Sequence, residues 1–210
     1  MATPAQLMET ISTATGVPLA TVVDIDRKLV KAGLRTRAGR GFSAAQMTSV
    51  DAANLLTAIL AGSRSNESAL AVERYAQTRV DKERSSERLF GAASLDDLAA
   101  LPARHRFIDG LAAVIASAAA GSLYKLVAEI GGGSTPSIEI FAFTRAMRGR
   151  IRIAGLPNRR TASVEYIAAK GTLGFPLGVA GDLEQSRRIT ERTIFSIAEL
   201  LSQEGTHDRS

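Results

Sequence analysis

The 210-residue chain reads as an α+β protein: an N-terminal helical segment, a helical middle, and a small C-terminal antiparallel sheet closed by a helix. Apolar residues keep a helical spacing from the N-terminus to about residue 128. GGGSTP at 131–136 then breaks the pattern. Beyond it the period changes to two: in SIEIFAF (137–143), Ile138, Ile140 and Ala142 fall on one face and Glu139, Phe141 and Phe143 on the other.

Residues 11–34 contain two helices joined by a sharp turn. Gly16 suits a left-handed turn position and Val17 plugs the core beneath it. Val22, Ile25 and Leu29 take the core spacing of the second helix. Pro18 fits its first position and Gly33 its C-terminal cap. A basic, Gly-containing connection, RTRAGRGFSAAQMT (35–48), follows. Thr48 or Ser49 can cap a helix running to Leu60, with Asp51 in its first turn. GSRSNES (62–68) is a loop. A polar helix is expected over 67–90, anchored by Leu70, Tyr75, Val80 and Leu89. Ser94 caps a short helix that Pro102 ends, and a single more buried helix is expected over 104–128. Further strands are expected at 150–154 and 163–167. The last helix, about 190–203, turns Ile194, Ile197, Ala198 and Leu201 to one side. Three regions result: 1–62, 63–130 and 131–210.

Composition narrows the function classes. Cysteine is absent, which excludes disulfides, thiol catalysis and Cys-ligated zinc. The two histidines, His105 and His207, are far apart in sequence, so no metal or other cofactor is implied. His105 stands between Arg104 and Arg106 and is expected at the surface. No apolar run approaches the ~20 residues of a membrane helix, and the N-terminus has no basic-then-apolar signal pattern. A cytoplasmic, nucleoid-associated protein is expected. The net charge is +5, and its distribution says more than its size. Residues 1–48 carry six basic and three acidic side chains, residues 63–110 eight of each, and residues 137–170 seven basic and two acidic. The excess lies in two blocks, each suited to a polyanion.

Ile11, Ser12, Ala14, Gly16, Val17, Pro18, Thr21, Val22, Leu29, Ala32, Gly33 and Leu34 together resemble the winged helix-turn-helix of bacterial transcription regulators. The resemblance covers about a fifth of the chain. It implies a second helix that enters the major groove of duplex DNA, and a basic wing beginning in RTRAGRG (35–41).

Docking of such a pair turns the N-terminal half of the second helix toward base edges. Leu19, Ala20, Thr21, Asp24 and Arg27 are available there: Leu19 or Ala20 for thymine methyls, Thr21 for a base or phosphate, Asp24 for cytosine N4. Lys28, Lys31, Arg35, Arg37 and Arg40 can neutralise phosphates. Asp24 and Asp26 depart from the pattern, because acid in mid-helix repels the DNA backbone. Arg148, Arg150 and Arg152 alternate on a strand and share one face, with Arg145, Arg159 and Arg160 nearby. They offer either a second phosphate-binding surface or a solvated outer face over an apolar inner one. GGG at 131–133 lacks the Gly-Lys-Ser/Thr ending of a phosphate loop and precedes a strand, so it reads as a linker. Asp96 and Asp97 are adjacent at a helix start and read as capping charge. No catalytic set emerges, and the chain is not expected to be an enzyme.

The expected function is therefore a sequence-specific transcription regulator that binds double-stranded DNA as a dimer. The helical middle is the place for self-association, and the C-terminal module would take an effector or protein partner. The alternative is a small terminase-like phage DNA-packaging protein, which shares this layout of helix-turn-helix and oligomerisation region.

Overall fold

A computed structural model describes residues 2–37, 46–62, 65–86, 95–129, 137–143, 147–156, 160–168 and 185–202. Among them are eight α-helices and one antiparallel five-stranded sheet. The helices are α1 (Pro4–Thr15), α2 (Leu19–Ala32), α3 (Ser49–Ala61), α4 (Ser68–Tyr75), α5 (Asp96–Ala99), α6 (Phe107–Ala119), α7 (Ser122–Glu129) and α8 (Glu191–Ser202). The strands are β1 (Thr78–Val80), β2 (Ser137–Phe143), β3 (Arg148–Leu156), β4 (Arg160–Ala168) and β5 (Ser186–Thr190).

Local chemistry sets the helix ends. Thr3 caps α1 in a reciprocal pair with Gln6, and Thr48 does the same for α3 with Asp51. Gly16 closes α1 in the left-handed region at φ 72°, which an L side chain adopts at a cost. Gly33 closes α2 at φ 74°, and the Leu34 amide returns to the Leu29 carbonyl at 2.9 Å. Helix α3, SVDAANLLTAILA, is apolar around most of its circumference and lies at the centre of the molecule. It packs against α2, α4, α6 and the inner side of β2 and β5. The α1 helix rests on α8, and α8 also packs on α6 and β5. One hydrophobic cluster runs from Ala2 to Ala198 and draws on all three sequence regions.

The sheet order is β1-β4-β3-β2-β5. Its inner face is apolar: Ile138, Ile140, Ala142, Ile151, Ile153, Ala162, Val164 and Tyr166 are all buried. The helices approach this face closely. Phe107 of α6 sits where a Cβ on Gly149 would have to go, and the Tyr166 hydroxyl does the same at Gly110.

Three expectations are corrected. The helix expected over 67–90 ends at Tyr75, and Thr78–Val80 instead pairs with β4, Arg79 opposite Ile167. Pairing to a strand some ninety residues later outweighs the local helical pattern. The helix expected over 104–128 is two helices, broken at Gly121 with φ 81°. His105 is buried. Its Nδ1 lies 2.9 Å from the Pro102 carbonyl and its Nε2 2.8 Å from the Tyr166 hydroxyl. The turn after Pro102 folds the ring inward, away from its arginine neighbours.

Candidate nucleic-acid interface

The turn between α1 and α2 is three residues, Gly16–Pro18, and side chains brace it. Ser12 Oγ donates to the Val17 carbonyl at 2.7 Å, and Thr15 Oγ1 to the Ile11 carbonyl at 2.6 Å. Pro18 stands just outside α2, one position earlier than its expected place as first helical residue, and offers no side-chain cap. The Thr21 amide bonds to the Pro18 carbonyl at 2.9 Å, and the amides of Leu19 and Ala20 before it have no side-chain cap.

Helix α2 has two distinct sides. Val22, Ile25, Asp26 and Leu29 are buried. Leu19, Ala20, Thr21, Arg27 and Lys31 are exposed, and Asp24 and Lys28 are half-buried at the boundary. Leu19 is 42% exposed, an uncovered apolar side chain at the N-terminal end of the helix. Asp24 and Lys28 face one another one turn apart at 3.9 Å, so the acid is partly neutralised by its neighbour. Among the residues expected to touch DNA, the outward side thus carries Arg27, Lys28, Lys31 and, beyond the helix, exposed Arg37, against Asp24.

Arg35 is not available to a phosphate in this arrangement. Its side chain is only 7% exposed and its guanidinium pairs with Asp26, Nη2 donating to Oδ2 at 2.9 Å. Burial pushes the Asp26 carboxyl above its usual value, against the pull of Arg35, and the nearby Asp51 charge adds to the rise. A polar network continues from this pair. Asp51 Oδ1 accepts from the Thr36 amide at 2.7 Å, and Asp51 Oδ2 from the Thr48 amide and hydroxyl at 3.0 and 2.8 Å. Asn54 donates to the Leu34 carbonyl at 2.7 Å. These bonds fix the path of residues 34–37 as they leave α2, and so aim Arg37. Asp26 was legible as a special residue: it shares the face of Val22 and Leu29, where an acid requires a buried partner. Arg40 and most of the expected wing, residues 38–45, lie outside the described residues. Arg35, Thr36 and Arg37 form no strand.

The outer face of the sheet is the second basic surface. Arg150 pairs with Glu165 across β3 and β4. Glu139 takes two arginines: Arg152 Nη1 at 2.6 Å and Arg188 Nη1 at 2.7 Å. The hydrogen bond from Arg152, then that from Arg188, holds the Glu139 carboxyl below the usual range despite some burial. Arg148 lies over the Phe143 ring at 4.2 Å. Phe141 and Phe143 stack at 6.1 Å with their planes 17° apart. Arg187, by contrast, pairs with Ala142 of the inner face and donates to the Ile59 carbonyl at 3.1 Å, at the C-terminal end of α3. That end is negative by its dipole and welcomes a cation. Arg145 and Arg159 lie outside the described residues.

Among the described residues no three His, Asp or Glu side chains converge as a metal site would require. No described helix is long and apolar enough to cross a membrane. Ser117 donates to Asp97 Oδ2 at 2.8 Å, so that carboxylate ties α5 to α6. Comparison with family models, with curated proteins and with solved structures finds no match to this chain.

Proposed function

We propose that the chain binds duplex DNA through the exposed side of α2 and acts as a sequence-specific transcription regulator. The observation that carries this reading is the division of α2. Its inward stripe is locked into the core, while its N-terminal half projects Leu19, Ala20 and Thr21 with no cap over the first amides. A helix-turn-helix presents its second helix to the major groove in this way. Small apolar and hydroxyl side chains suit thymine methyls and base edges, and uncapped amides suit a phosphate. Arg27, Lys31 and Arg37 follow at positions suited to flanking phosphates. We also propose that the protein works as a dimer, since two tethered heads on two half-sites multiply affinity.

The test is a salt titration with genomic duplex fragments selected by the protein. Replacing Arg27, Lys31 and Arg37 together by Ala should weaken binding to every sequence. It should flatten the log–log salt dependence by about 0.9 for each phosphate that is no longer neutralised. An unchanged slope would remove α2 as the element that touches DNA. In the same samples, a mass twice that of the chain supports the dimeric regulator, and a ring of eight or more supports DNA packaging instead.

A further inference from the structure

We propose that the outer face of the β-sheet is a platform for single-stranded DNA, separate from the α2 surface. Two features of the face point to this ligand. The first is charge. Among the described residues of this face, Arg150, Arg152 and Arg188 stand against two carboxylates, Glu139 and Glu165. Glu139 is shared by two arginines, so these described charges do not cancel, and the side chains of Arg152 and Arg188 remain 41% and 54% exposed. Each carboxylate holds its arginine on the face in a fixed place, with further N–H groups left for phosphate oxygens.

The second feature is the aromatic side chain of Phe141. In the register of the sheet, Phe141 lies between Arg150 on β3 and Arg188 on β5. Phe141 is half-buried, and Phe143 is buried beneath Arg148. The Arg150 guanidinium lies 5.9 Å from its ring and 5.7 Å from that of Phe143. An aromatic ring set between guanidinium planes is a surface on which an unstacked base lies. A duplex keeps its bases stacked on one another and cannot use such a ring. Its major groove admits a helix or a two-stranded ribbon, not a five-stranded sheet. Residues on one face of a strand recur every ~6.8 Å. That is comparable with the phosphate-to-phosphate step of an extended single strand. An acidic protein partner would answer the arginines but would leave the Phe141 ring without a role. DNA is assigned rather than RNA on the reading that α2 holds duplex DNA, which places a locally opened strand of the same polymer within reach.

The experiment is fluorescence anisotropy of the full chain with a labelled oligothymidylate about 12 nucleotides long, at low salt. Wild type should bind it with an affinity that falls as salt rises. Phe141→Leu keeps an apolar side chain but removes the stacking plane, and should weaken binding about 5-fold or more. Glu139→Gln removes the carboxylate competing for Arg152 and Arg188, and should tighten it. Arg27→Ala/Lys31→Ala should leave oligothymidylate binding unchanged whether or not those residues hold duplex DNA, so the two assignments fail separately. Absence of binding at low salt, equal affinity of wild type and Phe141→Leu, or loss of binding in the α2 variant would each overturn the proposal. Tenfold preference for oligouridylate of the same length would overturn the assignment to DNA.

Discussion

Removing Asp26 should destabilise the fold by an amount that its surroundings fix within a narrow range. The Asp26 and Arg35 side chains are 6% and 7% exposed, so both are almost fully withdrawn from water. Asp26→Ala leaves the guanidinium buried without its main hydrogen-bond acceptor. A buried ion whose partner is deleted costs ~3–5 kcal/mol. The lower end applies here, because Arg35 Nη1 also donates to the Thr36 carbonyl at 2.9 Å and keeps one acceptor. A loss of about 3 kcal/mol lowers Tm by roughly 6–12 °C for a chain of this size. The pair itself is worth little, since its attraction barely offsets the desolvation of two charges. Asp26→Leu/Arg35→Met should therefore return to within ~1 kcal/mol of wild type or exceed it. Urea unfolding followed by far-ultraviolet circular dichroism at neutral pH measures all three proteins. A single variant within ~1 kcal/mol of wild type, or a double variant no better than the single, would refute the argument.

Other outcomes follow from the same geometry. Gly110→Ala drives a methyl against the Tyr166 hydroxyl and should cost ~1–3 kcal/mol in thermal unfolding, because the hydroxyl is held by His105. Thr21→Ala should leave Tm unchanged and relax preference at one or two operator positions by ~1–3 kcal/mol per base pair, read from binding to single-base operator variants. An unchanged ranking of the variants would mean that Thr21 reads no base. Stability against pH should separate two carboxylates. The folded pKa of Asp26 lies above its ordinary 3.8, so wild type should lose stability relative to Asp26→Asn as pH rises through the window above that value. Glu139 lies below its ordinary 4.5, so its contribution, measured against Glu139→Gln, should be present above 4.5 and lost as pH falls through the lower folded value.

Features governed by short-range chemistry were legible in the sequence. Gly16 and Gly33 mark helix ends, Thr48 and Asp51 mark a helix start, and the alternation in residues 137–143 separates the two faces of β2. Features that depend on distant partners were not. Thr78–Val80 looks like the continuation of a helix until β4 offers it a ladder. Ser186–Thr190 is too short and too basic to announce a strand, yet it pairs with β2 along five residues. On the candidate surface, the exposed side of α2 followed directly from the spacing of Val22, Ile25 and Leu29. The withdrawal of Arg35 did not, because counting charges along a chain does not distinguish a solvated cation from one folded back onto a buried acid.

On the proposed reading that α2 contacts DNA, its two-sidedness also bears on how readily the recognised sequence could be changed. The side chains that hold the helix and those that face outward are different sets, and the outward set lies away from the buried network of Asp26, Arg35 and Asp51. Exchanging Leu19, Ala20, Thr21, Arg27 and Lys31 should shift stability by only about 0.5 kcal/mol per position. The helix is thus a rigid cartridge whose lettering can be rewritten while its mounting stays the same. New preferences could accumulate by single steps, none of which would have to pass through an unfolded intermediate sequence.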